Sequence, residues 1–290
     1  MFWWTEAGSR GNNFGDRVSP KIVKHLSGRK IERTTSGGSG RLLAVGSILK
    51  WALPGDIIWG AGHAVLGHSN ARDIDVRCVR GPITEWILRA QGVKIPRPRT
   101  WGDPALLLPA IYQPPVLERS FEDIFDAPLI VPHYIDYKRA RELLRPDVAV
   151  LDITADTEVV IDSICKSSIV LSSSLHGIVV AEAYGIPAVW VEFSDHVSGA
   201  GMKFRDYYAS TGRERVILDA LDFRHGFRFD AKIADRVFIP ERPAMIARVY
   251  DLIGSFPFEI APGHLDLPVF SSISQGWAPA RPEWRGWKEP

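Results

Sequence analysis

The sequence predicts an α/β protein of two Rossmann-like domains with a cleft between them, and three observations carry that expectation. Short β-branched runs alternate with helical segments along most of the chain. The strand-like runs end in glycine or serine, as they do where parallel strands hand over to helices. A cluster of prolines near the middle divides the alternation into two series.

In order, Leu42 to Val45 and Asp56 to Trp59 read as buried strands, the first followed by Gly46 and the second by Gly60-Ala61-Gly62. Asp75 to Arg80 alternates as a strand should. Gly81-Pro82 then opens a helix, Ile83 to Ala90, that Gly92 closes, with proline at the start and glycine past the end. Pro109, Pro114, Pro115 and Pro128 place a linker between about Leu108 and Pro128. Beyond it come a strand at Leu129–Val131, a basic amphipathic helix at Tyr137–Leu144 and a strand at Val148–Leu151. A helix at Asp156–Lys166, a strand at Ser168–Leu171, a helix at His176–Tyr184 and a strand at Ala188–Glu192 complete the series. The expected division is residues 1–112, residues 113–255, and an irregular tail at 256–290 rich in proline and tryptophan (Trp277, Trp284, Trp287). That tail wraps over the body or meets a membrane interface or a partner.

The 290 residues suit two domains of moderate size, and 46% hydrophobic with 24% charged residues is ordinary for a globular chain. With 35 basic against 34 acidic residues there is no basic excess of the kind nucleic acid demands. No nucleic acid partner is expected; small anions and neutral sugars are. Cys78 and Cys165 form no C-x-x-C pair and read as buried thiols. The opening residues reach Glu6 without an apolar core segment. The most apolar long stretch, Ile178 to Val191, holds Glu182, Gly185 and Pro187, so it reads as no membrane span. A cytoplasmic location is expected, with peripheral attachment to the inner face of the membrane left open.

Ligands of doubly wound sheets sit outside the carboxyl ends of strands, which nominates four places. At Ser172-Ser173-Ser174-Leu175-His176-Gly177 a strand ends in serines and a helix begins. The serines and His176 are either a cap and a satisfied first-turn residue or an anion site with His176 held as a neutral base. On the second alternative Gly177 leaves room for close ligand approach. Arg80, at a strand end before Gly-Pro, grips an anion with its fork or forms a structural ion pair. Asp16, in a glycine loop, orients a sugar hydroxyl or caps the next helix. His133, at the mouth of a strand, faces the cleft or lies on the surface. His63 and His68 are five apart with no carboxylate to complete a set, so no metal site is expected. Ser36-Gly37-Gly38-Ser39-Gly40 precedes a strand and is not a phosphate loop.

These residues together resemble the polysaccharide pyruvyl transferase family. Ser-Ser-Leu-His-Gly (173–177) followed by Ile-Val-Val-Ala-Glu-Ala-Tyr-Gly-Ile-Pro (178–187) is similar to its signature. Asn12-Asn13-Phe14-Gly15-Asp16, Val45 to Leu49, Trp59 to Gly62, Val79 to Pro82 with Thr84, and Gly102-Asp103-Pro104 to Leu107 resemble its other pieces, in order. The resemblance covers about Asn12 to Tyr208 and implies the two-domain glycosyltransferase B architecture. It further implies phosphoenolpyruvate as co-substrate with no cofactor, and transfer of its pyruvyl group as a ketal onto a hexose of an exopolysaccharide or cell-envelope precursor, a lipid-linked oligosaccharide. His176 is then acid and base. Arg80, Lys203, Ser174, Arg205 and Gly177 bind the donor, and Asn13, Asp16, Gly60, Asp103 and His133 line the acceptor side. Family members often carry arginine where this chain has Ser174, so Lys203 or Arg205, both also readable as solvated loop cations, must supply the charge. A nucleotide-sugar glycosyltransferase and a non-catalytic assembly scaffold are the rival readings.

Overall fold

A computed structural model describes residues 1–4, 13–34, 40–65, 72–95, 100–115, 125–211, 221–224, 233 and 242–265. The tail tryptophans, His68 and the 36–39 loop fall outside these residues. Two parallel sheets organise the fold. The first runs β1 (Leu42–Leu43), β2 (Ile57–Trp59), β3 (Asp75–Cys78), extended by single bridges from Phe2 to Leu43 and from Val79 to Trp101. The second runs β4 (Phe125–Val131), β5 (Ser167–Ser172), β6 (Ala188–Glu192), β7 (Leu221–Asp222), with Val150 bridged to Ile130 on the outer side of β4.

The chain leaves β4, touches its outer edge at Val150, and then returns to place β5 on the inner side. Sheet growth therefore reverses between β4 and β5, the kind of position at which doubly wound sheets take ligands.

Helices cover the sheets: α1 (Phe14–Ser27), α2 (Pro82–Ala90), α3 (Tyr137–Leu143), α4 (Thr157–Cys165), α5 (Leu175–Ala183), α6 (Met202–Ser210) and α7 (Arg242–Gly254). On α1, Phe14, Val18, Ile22 and Leu26 recur every four residues and are fully buried, so one stripe fixes the helix against the core. All of α5 is buried, which is why its sequence reads as a continuous apolar run rather than a stripe. One hydrophobic cluster takes in α1, the 3-10 turn Pro104–Ala110, α5 and Leu252 of α7. Residues from both sheets' surroundings thus share a core. Trp59 at the end of β2 anchors α7 by donating its indole N–H to the Leu252 carbonyl, 2.9 Å away. Among the described residues no helix is long and apolar enough to cross a membrane.

Several boundaries differ from the expectation. The strand expected at Val148–Leu151 is a single bridge, and β1 and β3 end at Leu43 and Cys78, Val79 adding only a bridge to Trp101. The Asn-Phe-Gly-Asp segment is no loop: Asn13 is the N-cap of α1, and Gly15 and Asp16 lie in its first turn. Lys203 and Arg205 lie on α6 rather than on a loop. Pro20 inside α1 and Gly201 just before α6 hide both helices from a propensity reading.

Candidate functional site

The carboxyl ends of both sheets, with the first turns of α1, α5 and α6, bring most of the nominated residues together. The site is assembled from three kinds of local structure.

The first is the end of β5. Ser172 Oγ accepts from the Ser174 N–H at 3.0 Å and lies 2.6 Å from the Val131 carbonyl. Ser173 Oγ accepts from the His133 N–H at 2.9 Å and donates to Asp136 Oδ2 at 2.7 Å, while Ser194, after β6, donates to Asp136 Oδ1. The serines are therefore braces between strand ends. Ser174 occupies the N-cap position of α5 but makes no side-chain cap bond, which corrects the capping reading. Where a Cβ would stand on Gly177 lie Ser172 and Val131, so close packing of α5 on the sheet, not ligand approach, accounts for that glycine.

The second is His176 and what surrounds it. Its ring lies against the Cα of Gly15, where any side chain would collide with it. Nε2 is 3.7 Å from Oδ2 of Asp103, and neither atom has a hydrogen-bond partner although both are buried. Asp103 opens the 3-10 turn at Pro104, and its Oδ1 accepts from the Ala105 N–H at 3.0 Å. On the other side, Asp16 accepts from the Trp4 N–H at 3.2 Å and is bonded by the Asn13 side chain. Burial raises the Asp16 carboxyl to about 7, against the opposing pull of His176 and of those bonds.

The third is a cationic corner in which Arg80 is fully buried and Lys203 half-buried. Burial lowers the Lys203 ammonium to about 8, Arg80 adds to this, and Asp136 opposes it. His133 is 8% exposed and kept neutral by burial, with Lys203 and His176 adding to the effect. Arg80 is wholly buried. Its Nε and Nη2 each lie 3.0 Å from Asp206 Oδ2, Nη1 donates to Ser47 Oγ at 2.7 Å, and Nη2 donates to the His63 carbonyl at 2.7 Å. Asp206 also accepts from the Thr84 N–H and hydroxyl at 2.9 and 2.6 Å. Burial and Arg80 lower His63 to about 4.

Asp16, Asn13, Asp103, His133, His176 and Lys203 are thus neighbours, with Arg80 behind Lys203. Gly60 stands aside: its φ of 88° and the press of Pro104 against it make it a packing glycine. Arg205 lies over the Trp190 ring, 5.4 Å from its centroid, and donates to the Ala200 carbonyl. Trp190 in turn stacks on Phe204 at 4.5 Å. Sequence reasoning missed Asp136 and Asp206, which anchor the two networks. No local spacing signalled them, because their partners, Ser173 and Ser194 for Asp136 and Arg80 and Thr84 for Asp206, lie far away in sequence.

Comparison with known proteins bears on this arrangement. The family model described as polysaccharide pyruvyl transferase matches residues 13–195, a span that holds Asn13, Asp16, Arg80, Asp103, His133, Asp136 and His176 but not Lys203, Arg205 or Asp206. The uncharacterized protein L143 of Acanthamoeba polyphaga mimivirus is 31% identical over 214 residues, covering 70% of this chain and 72% of that protein. No solved structure matches the chain significantly.

Proposed function

The chain belongs to the polysaccharide pyruvyl transferase family, and we propose that it moves a pyruvyl group from phosphoenolpyruvate onto two hydroxyls of a hexose, forming a ketal. Membership implies a transferase with a polysaccharide acceptor. The donor, the hexose in an exopolysaccharide or cell-surface precursor, its lipid-linked carrier and action at the inner membrane face belong to our reading. So do the two Rossmann-like halves, residues 1–112 and 113–255, meeting at a cleft.

One observation carries the reading: a half-buried ammonium, Lys203, and two imidazoles, His133 and His176, gather near the start of α5. Phosphoenolpyruvate brings a carboxylate and a phosphate, and a half-buried cation beside a helix N-terminus suits such an anion. Lys203 takes the place of the arginine that the family often has at Ser174. Arg80 contributes through position, since its fork is already engaged by Asp206.

The chemistry then divides simply. His176 removes the proton of the attacking hydroxyl as its oxygen bonds to C2 of the enol. A proton adds to C3, turning the methylene into a methyl group. The second hydroxyl attacks C2 as the C2–O bond to phosphate breaks, and its proton leaves to His176 or with the departing phosphate. The residues present suffice for these steps in our reading, with no cofactor assigned.

A ligand that binds only the folded protein raises its melting temperature. Millimolar phosphoenolpyruvate is expected to do so, and uridine or guanosine diphosphate sugars are not. The opposite pattern would favour the glycosyltransferase, and no response to either would favour the scaffold.

A further inference from the structure

We infer that Asp103 is the residue that orients His176, and that the ring nitrogen left to accept the substrate proton is Nδ1. The inference rests on the proposed reaction only for its kinetic test.

The two side chains come from different parts of the fold, Asp103 from the loop after β3 and His176 from the first turn of α5. Their exposures are 0% and 5%, and their unpartnered atoms, Oδ2 and Nε2, face each other at 3.7 Å. A buried polar atom without a partner costs about 1–3 kcal/mol, and more when it is charged. Other buried polar atoms lack a partner too, Arg248 Nε and Asp251 Oδ2 among them, but those two residues lie on one helix, whereas His176 and Asp103 are brought together from two parts of the fold. A charge-assisted bond between them would measure about 2.7–2.9 Å, so the pair lies roughly 1 Å short of closure. Neither partner is free to turn away. The Ala105 N–H holds Oδ1 of Asp103 at 3.0 Å, and Gly15 lies against the Nδ1–Cε1–Nε2 side of the ring. The other nearby carboxyl, Asp16, is engaged by Trp4 and Asn13.

A neutral imidazole carries one N–H, and the carboxylate facing Nε2 favours the tautomer that places it there. Nδ1 then holds the lone pair. When it takes the hydroxyl proton, the imidazolium that forms donates from Nε2 to Asp103, which remains unprotonated. Closure of the pair accompanies proton transfer, so a residue of the first sheet's surroundings completes a base carried by the second.

The test uses Asp103→Asn. Asparagine is an equally good N-cap, so the bond to Ala105 survives while the charge is lost and an NH2 donor faces Nε2. Nitrogen-15 NMR of the full-length resting protein, with the His176 signals assigned by their loss in His176→Gln, is expected to show Nε2–H in the wild type and Nδ1–H in the variant. Turnover with phosphoenolpyruvate is expected to fall ~10²–10⁴-fold, the range that follows when an oriented histidine loses its carboxylate, with the donor KM nearly unchanged. A proton on Nδ1 in the wild type, or the same tautomer in both proteins, would overturn the assignment. If Asp103→Asn does not fold, Asp103→Ser, also a capping residue, is read the same way: persistence of the Nε2–H form refutes the inference, and its loss supports it. If the wild type shows no turnover with phosphoenolpyruvate, the donor reading fails, and the tautomer still decides the role of Asp103.

Discussion

Around Arg80 the charges are matched, whereas around His176 the polar atoms face each other without bonding. Both groups are buried between the same two sheets. Arg80 and Asp206 sit 126 residues apart in sequence, yet they meet at 3.0 Å, and Thr84, Ser47 and the His63 carbonyl take up the remaining contacts. Nε2 of His176 and Oδ2 of Asp103 are left at 3.7 Å with no partner. A satisfied buried network holds a fold together. An unsatisfied one lowers stability and is retained where chemistry uses it. The contrast separates a satisfied brace from a pair of unpartnered polar groups within one junction.

The largest effect is expected on the unsatisfied side. His176→Ala is expected to lower kcat ~10²–10⁴-fold while phosphoenolpyruvate still shifts the melting temperature, because Lys203 remains and Nε2 contributes no bond to the fold. Steady-state kinetics with thermal unfolding on the same variant checks this. Wild-type turnover would remove His176 from the reaction.

On the satisfied side the loss is one of stability. Asp206→Ala leaves the buried Arg80 guanidinium without its counter-charge, and breaking such a pair costs about 3–5 kcal/mol. Denaturant unfolding measures it, and an Asp206→Ala protein as stable as the wild type would erase the contrast drawn above.

Lys203 lies between the two systems and has the smallest expected effect. Lys203→Ala is expected to weaken phosphoenolpyruvate binding by about tenfold, roughly 1.4 kcal/mol, with little change in melting temperature at neutral pH. The ammonium loses its proton near 8 in the folded protein, against 10.5 ordinarily. Donor affinity is therefore expected to fall as pH rises from 7 to 9, and Lys203→Ala should not show this fall. Stability runs the other way. Between about 8 and 10.5 the unfolded chain holds the proton that the folded chain has lost, so this group's unfavourable contribution diminishes as pH rises through that window. Equal pH dependence of donor binding in both proteins would take Lys203 out of the anion site.

Local pattern alone determined a good deal here. The alternation of strand and helix, the handover from strand β5 to helix α5 at Ser174 and His176, and the proline start of α2 are legible because they depend on propensities and on neighbours within one turn. His133, Asp16 and Asp103 were nominated from strand ends and motif pieces for the same reason. What tertiary structure alone decided is which of these groups have partners. Nothing in the segment around Arg80 announces that Asp206 will neutralise it, nor does the Ser-Leu-His-Gly stretch announce that Gly15 and Asp103 will border the His176 ring. Those pairings join residues separated by 73 to 161 positions (176 − 103 and 176 − 15). They depend on how the two sheets pack through α1, α5 and the 104–110 turn. Burial then sets the charge states. Desolvation raises Asp16 and, together with Arg80, lowers Lys203, a property that belongs to the packed assembly of helices and to no single stretch of chain.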